Sequence, residues 1–524
     1  MKIHSHSAFR RILVAGLALV ASACAAQPKF ESASYDEQSA NRLFSQALGH
    51  LADNYIDPVD MRSLSVAGVN GLTALDEEVR AAAGPGRGYV MYAGDATPIS
   101  YDPPSDRDSR EWARLLANAV TTARARSAAL QEKPPEELYT AVMKGITGTL
   151  DAYSRYEPPR QANESRARRE GYGGIGVTIR DQDGQTVIQE VMPNSPASRA
   201  GLLKLDVITH ADGVALATLE REARAERLRG PIGQSVAVSI ERTGAQPFTV
   251  RIEREEIVPT TVYFENDKGL PRFRIAAFSR NTADSLAEEI AKAEKATGGL
   301  PGIVLDLRGN PGGYLTQAID VADLFLDDGL LVSTNGRHPS SSTAYRARVG
   351  AIAAGKPMVV LIDGGSASAS ELLAAALVDS GRAAAVGSVT YGKGSIQNLE
   401  ELANGGELIV TWSRMHAPSG YLLDGLGVLP TVCTVANDVD AATLIRASSR
   451  EHGSAVAWRA YQSPDLPAAA RLRASCPKVE TGGDIDLDVA RMLLKDRNAY
   501  EASLVPAAER DNHARLRFGL GRNG

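Results

Sequence analysis

Three cysteines and eight scattered histidines in 524 residues form no Cys/His cluster with zinc-ligand spacing, so no metal site is predicted. The sequence has no G-x-S-x-G turn, and no histidine stands at a spacing that recommends it as a triad base; His416 reads as structural. A net charge of −6 leaves no basic footprint for nucleic acid, and no cofactor is expected. The apolar run at residues 12–23 is too short to span a bilayer.

What is present is ordinary globular material, 44% apolar and 23% charged, long enough for roughly two to four domains. Residues 1–23 combine Lys2, Arg10 and Arg11 with that short apolar run and a small-residue end, the pattern of a secretory signal. Ala21-Ser22-Ala23-Cys24 resembles a bacterial lipoprotein box in which Cys24 would be lipidated. Ala21 departs from the leucine usual there, so ordinary cleavage near Cys24 is the alternative. The protein is thus expected to be exported and periplasmic, with the lipidated form an outer-membrane lipoprotein. In an exported chain the remaining Cys433 and Cys476 are a disulfide candidate, with two unpaired buried thiols as the alternative.

Residues 24–165 read as a mainly helical N-terminal region. Two of its helical stretches, LSVAGVNG and LYTAVMKG, share Leu64/Leu138, Ala67/Ala141 and Gly71/Gly145 at one offset, a weak repeat or two generic amphipathic helices. From about Tyr172 the period changes to short alternating strands with turn residues between them, a small separate domain over 172–256. Residues 260–435 alternate strands and helices, as an α/β domain does, and 436–524 is a helical tail of unreadable role.

The chemistry concentrates in residues 357–397. An apolar strand ends in paired glycines; Ser366, Ser368 and Ser370 follow at the start of a helix, and Lys393 then stands alone between Gly392 and Gly394. A strand, tight turn and helix N-terminus present a hydroxyl well, since the turn exposes it and the helix end offers free N–H groups. Turn chemistry alone accounts for the same pattern equally well. A serine without histidine can be activated by a neutral lysine, and burial beside apolar groups would depress the Lys393 pKa; an exposed turn lysine is the plain alternative.

The order GIGV, NSPASRAG, DVI, helix, SVAVSIER resembles a circularly permuted PDZ domain of bacterial proteases, although Leu205 replaces the usual glycine before Asp206. That resemblance implies a loop, Gly174, Ile175 and Gly176, whose N–H groups bind a peptide's terminal carboxylate. LDLRGNPGG, GGSASASE and YGKGSIQ, in this order after a PDZ-like domain, resemble the carboxyl-terminal processing (tail-specific) serine proteases over residues 138–435. The resemblance implies an α/β, crotonase/ClpP-like protease core with an inserted PDZ domain and a mainly helical N-terminal region. It also implies Ser368 as nucleophile, Lys393 as general base, Gln397 as its orienting partner, and an oxyanion hole from the N–H groups of Ala369 and of a glycine in Asn310-Pro311-Gly312-Gly313, Gly312 in preference to Gly313. Ser366 and Ser370 would be bystanders, Ser370 as a helix cap; Asp379 matches an acid often seen on this helix in the family, but reads more simply as a surface carboxylate at the helix end. The expected partners are protein or peptide substrates with unstructured apolar C-termini. A lipid anchor, a second copy of the chain and an adaptor protein are further candidates. A catalytically silent PDZ adaptor or scaffold is the rival reading.

Overall fold

The computed structural model describes residues 35–505, apart from 85, 87, 106–107, 436–438, 449–456, 462–465 and 481–482. The signal segment and Cys24 therefore lie outside the described residues.

The N-terminal region packs Glu37–Asn54, Met61–Gly71, Ser109–Arg126 and Pro135–Thr147 around one apolar core. Asp36, Asp60 and Asp108 cap the first three of these helices, accepting N–H bonds that the first turn cannot satisfy itself. The two repeat-like stretches are helices that cross at their glycines. A methyl at Gly71 would lie 2.1 Å from Ala141 O, and one at Gly145 2.2 Å from Ala67 O. Only glycine allows that approach. The region is less purely helical than expected, because Val79–Ala83, Tyr89–Ala93 and Ile99–Tyr101 form an antiparallel meander. Its alternating side chains bury Tyr89 and Met91 in the helical core, which a short strand cannot do alone.

The second unit is a sheet with Val177–Gln182 on its edge and the helix Arg221–Leu228, closed over a core that includes Ile188, Ile208, Val236 and Val238. Its two ends run side by side, because Tyr172–Gly174 pairs antiparallel with Glu255–Ile257. The unit is therefore inserted through a narrow two-stranded neck.

The third unit is built on the sheet order Val262–Asp267, Leu270–Ile275, Ile303–Asp306, Met358–Ile362, Ala384–Gly387, Val432–Cys433. After the first hairpin every neighbour is parallel. Thr282–Thr297, Leu315–Asp323 and Ala369–Asp379 contribute to the core on one face. The last of these is buried at every residue, as its Ala/Leu composition allows. Ala441–Ser448 and Asp484–Lys495 cover the other face through Leu444, Ile445, Val489 and Leu493. The segment expected to be a tail is thus the second cover of a sheet whose central parallel strands, Ile303–Asp306, Met358–Ile362 and Ala384–Gly387, are buried on both faces, as a parallel sheet requires. A second sheet, Thr343–Arg346, Leu330–Asn335, Glu407–His416 and Ser395–Glu401, pairs with Arg155–Glu157 and so ties the N-terminal region to this unit.

Candidate active site

Three adjacent parallel strands end at the site: Ile303–Asp306 leads into the turn at 307–314, Met358–Ile362 into the serine turn, and Ala384–Gly387 into the lysine loop. Ligands of open α/β sheets bind beyond such carboxyl ends.

The three serines divide sharply. Ser366 is fully buried and its hydroxyl donates to Leu307 O at 2.8 Å; Ser370 is fully buried and donates to Asn310 O at 3.0 Å. Both hold the serine turn to the 307–314 turn, so Ser370 is not a helix cap. Ser368 occupies the N-cap position of Ala369–Asp379 and is only half-buried. Its backbone is held at φ +56°, a conformation that costs a non-glycine residue about 1–3 kcal/mol and clusters at functional sites.

What holds Ser368 there is Glu371, three residues after it and fully buried. One carboxylate oxygen accepts the Ser368 N–H at 2.7 Å and the Lys393 N–H at 2.8 Å. The other accepts the Gly392 N–H at 2.6 Å and the Thr390 hydroxyl at 2.5 Å. Burial pushes the Glu371 carboxyl above its ordinary pKa, and these four donors pull it back. In the sequence this glutamate closes the GGSASASE motif. Its sign was its position at N3 of a helix opened by a serine, the place of a capping-box glutamate.

Lys393 is half-buried, and its ammonium lies over the ring of Tyr153, 5.0 Å from the centroid. Burial depresses its pKa, with the nearby Arg155 cation adding to the effect and Glu371 and Asp151 opposing it. Gln397 donates to Ser395 Oγ at 2.9 Å and Thr411 Oγ1 at 3.2 Å, and Thr411 Oγ1 donates in turn to Asp151 at 2.9 Å. Asp151 and Tyr153 reach the site from the N-terminal region, more than two hundred positions earlier, and no local pattern marked them.

Gly312 packs directly on the serine turn: a methyl there would lie 2.8 Å from Ala367 O and 3.0 Å from Ser368 Cβ. Its N–H, expected to be free, donates to Asn310 Oδ1 at 2.9 Å. A buried N–H needs an acceptor, and an asparagine two residues earlier is well placed to supply one. Asn310 also donates to Ile275 O at 2.7 Å and accepts the Ala367 N–H at 2.9 Å, which fixes the height of the 307–314 turn against Ser368. Among the described residues neither Ala369 N–H nor Gly313 N–H has a protein acceptor.

Asp379 is not on the surface. It is 3% exposed and accepts from Ser419 N at 2.9 Å and Arg459 Nε at 3.1 Å, and burial raises its pKa. Cys433 and Cys476 are joined in a disulfide, with Cα atoms 5.9 Å apart. In the inserted unit Gly174 belongs to the neck, paired with Glu255. Ile175 and Gly176 form the turn before the edge strand, where a methyl at Gly176 would strike Ser195 Cβ at 2.2 Å. Leu205 takes φ +74°, the conformation for which a glycine would be ordinary.

The model for Peptidase family S41 matches residues 272–434, and that for the PDZ domain matches residues 173–252. The chain is similar to a carboxy-terminal-processing protease of Bartonella bacilliformis, 33% identical over 301 residues that make up 57% of this chain and 69% of that protein. A carboxyl-terminal-processing protease of Synechocystis sp. is 34% identical over 304 residues, 56% of this chain and 70% of that protein. A solved photosystem II D1 C-terminal processing protease aligns with 70% of this chain and 92% of its own, at 26% identity and a TM-score of 0.35.

Proposed function

The chain belongs to the carboxyl-terminal-processing proteases of peptidase family S41, serine-type peptidases, and on that footing we propose that Ser368 and Lys393 form its catalytic dyad. The observation that carries this reading is the single Glu371 oxygen shared by the Ser368 and Lys393 N–H groups. It brings the two backbones together from two loops and leaves both side chains half-buried. Burial holds the Lys393 pKa below its ordinary value, which makes the neutral amine more available as a base; it takes the Ser368 hydroxyl proton as the oxygen attacks a peptide carbonyl. The resulting oxyanion is received by Ala369 N–H and by the 307–314 turn, where Gly312 N–H must be shared with Asn310 or Gly313 N–H takes its place. Lys393 then protonates the leaving amine, and water hydrolyses the acyl-enzyme. Gln397, held by Ser395 and Thr411, orients the lysine from the second sheet.

The PDZ domain supports capture of an unstructured apolar C-terminus. Val177–Gln182 is an edge strand to which an extended peptide can add, and Gly174, Ile175 and Gly176 precede it as the carboxylate loop. An exported protein anchored or cleaved at Cys24 would meet such substrates outside the cytoplasm; no helix among the described residues is long and apolar enough to cross a membrane. Cleavage of an unfolded protein with an apolar C-terminus, compared among wild type, Ser368→Ala and Lys393→Ala, tests the reading. Both variants are expected to be inactive, and only the wild type and Lys393→Ala should retain Ser368 for fluorophosphonate. A Ser368→Ala protein that cuts as fast as wild type refutes the dyad; partner capture without proteolysis would favour the silent adaptor.

A further inference from the structure

Behind the lysine loop lies a segment of the C-terminal cover that no catalytic pattern marks. Arg473, at the end of the helix Leu466–Arg473, donates through Nη2 to Thr390 O at 2.8 Å and through Nη1 to Leu426 O. A methyl added at Gly392 or at Gly427 would lie 3.2 or 3.1 Å from its Nη1. The guanidinium therefore backs the two residues, Thr390 and Gly392, whose donors meet Glu371, and its charge acts on that carboxylate.

Six residues on, Val479 bridges the two loops of the site. Its carbonyl accepts the Gly364 N–H at 2.6 Å and the Ser388 hydroxyl at 3.0 Å, and its N–H donates to Ser388 Oγ at 3.2 Å. Gly364 begins the serine turn and Ser388 begins the lysine loop. Lys478 lies over Tyr391, 4.5 Å from the ring centroid. Residues 477–480 are exposed, so little apolar burial retains this strap, and hydrogen bonds at a surface are individually weak. Its covalent tie is Cys476, bonded to Cys433 on the last strand of the central sheet.

We propose that Arg473 is a positioning residue for the Ser368–Lys393 pair and that the Cys433–Cys476 disulfide locks its strap in place, so that the oxidised protein is the active one. This rests on the dyad reading above. A dithiol reverses the lock: it delivers two electrons and two protons to the S–S bond, leaves two thiols on the protein, and is itself oxidised to a disulfide. Cys433 is half-buried and both cysteines line a cavity of about 230 Å³, which gives the reductant a path.

The test uses the full chain, oxidised and then treated with dithiothreitol. Steady-state cleavage is read beside hydrogen exchange at residues 364–371 and 390–393. Reduction is expected to lower kcat about 10- to 100-fold, the scale of a small displacement of reacting groups, with KM unchanged and activity restored on reoxidation. The amides held by Glu371 should exchange faster in the reduced protein. Cys433→Ser/Cys476→Ser should show the reduced rate and ignore dithiothreitol; Arg473→Gln should lose kcat with its disulfide intact, and Arg473→Lys should recover part of it. A reduced wild type that keeps both its kcat and its amide protection overturns the proposal, even if the double variant fails to fold. Ser368→Ala cutting as fast as wild type would sink the dyad alone, because the exchange comparison still decides the strap.

Discussion

Replacing Glu371 by glutamine keeps the shape of a side chain that takes four hydrogen bonds but turns one acceptor oxygen into a donor. The amide can place its oxygen toward Ser368 and Lys393, leaving its NH2 toward Thr390 and Gly392. The Thr390 hydroxyl can rotate and accept, as it already accepts the Val428 N–H at 2.8 Å. The Gly392 N–H cannot reverse, and leaving it unpaired in a buried site costs about 1–3 kcal/mol. If that cost falls on the aligned lysine loop, kcat drops roughly 5- to 150-fold, at about 1.4 kcal/mol per decade. The opposite amide orientation strands two backbone N–H groups, Ser368 and Lys393, and is worse. KM should hold, because on the proposed reading the peptide's C-terminus is captured by the PDZ domain, away from this carboxylate. Glu371→Asp, one methylene shorter, cannot span both loops and should be no better. Single-turnover cleavage separates chemistry from binding, and a Glu371→Gln protein within about twofold of wild-type kcat would refute the clamp.

Lys393→Met should abolish cleavage and yet raise the melting temperature at neutral pH. The folded state holds the lysine pKa below its ordinary 10.5, so the buried charge is a penalty present in full below the depressed pKa. That penalty is lifted as pH rises through the depressed pKa toward the ordinary one. The wild-type stability deficit should therefore shrink with rising pH over that window, and wild-type kcat should climb through the same depressed pKa; a flat rate from about pH 6 to 9 contradicts a neutral-amine base. Gly312→Ala puts a methyl 2.8 Å from Ala367 O at φ +101°, so kcat should fall at least about tenfold while the remote PDZ fold is untouched. Calorimetry beside kinetics checks it, and full activity would show that the 307–314 turn does not set the height of the serine.

Much of the core could be read because its signals are local. The strand Met358–Ile362, the paired glycines and the helix Ala369–Asp379 follow from an apolar run, turn residues and an Ala/Leu stretch. The family resemblance then chose Ser368 from three serines by motif position. Burial and contact, by contrast, depend on partners far along the chain. Asp379 reads as a surface carboxylate from its place at a helix end, but the 419–421 turn and Arg459 close over it. A short β-like GYVMYAG and a tail helix at 487–495 are legible in the sequence, but the three-stranded 79–101 meander and the covering role of Ala441–Ser448 and Asp484–Lys495 are not, for the same reason: each is amphipathic toward a surface that another unit supplies.

The sequence by itself therefore determined the order of units, the strand-to-helix turn that presents a hydroxyl, and the lysine that follows it. Only the tertiary structure decided which hydroxyls are taken and what aligns the remaining one. Ser366 and Ser370 are tied to carbonyls 59 and 60 positions earlier, and Glu371 reaches residues 21 and 22 positions later. Arg473 backs the same loop from 83 positions beyond Thr390. Turn chemistry is settled within a few residues, whereas a buried donor or acceptor is satisfied by whatever the fold brings to it.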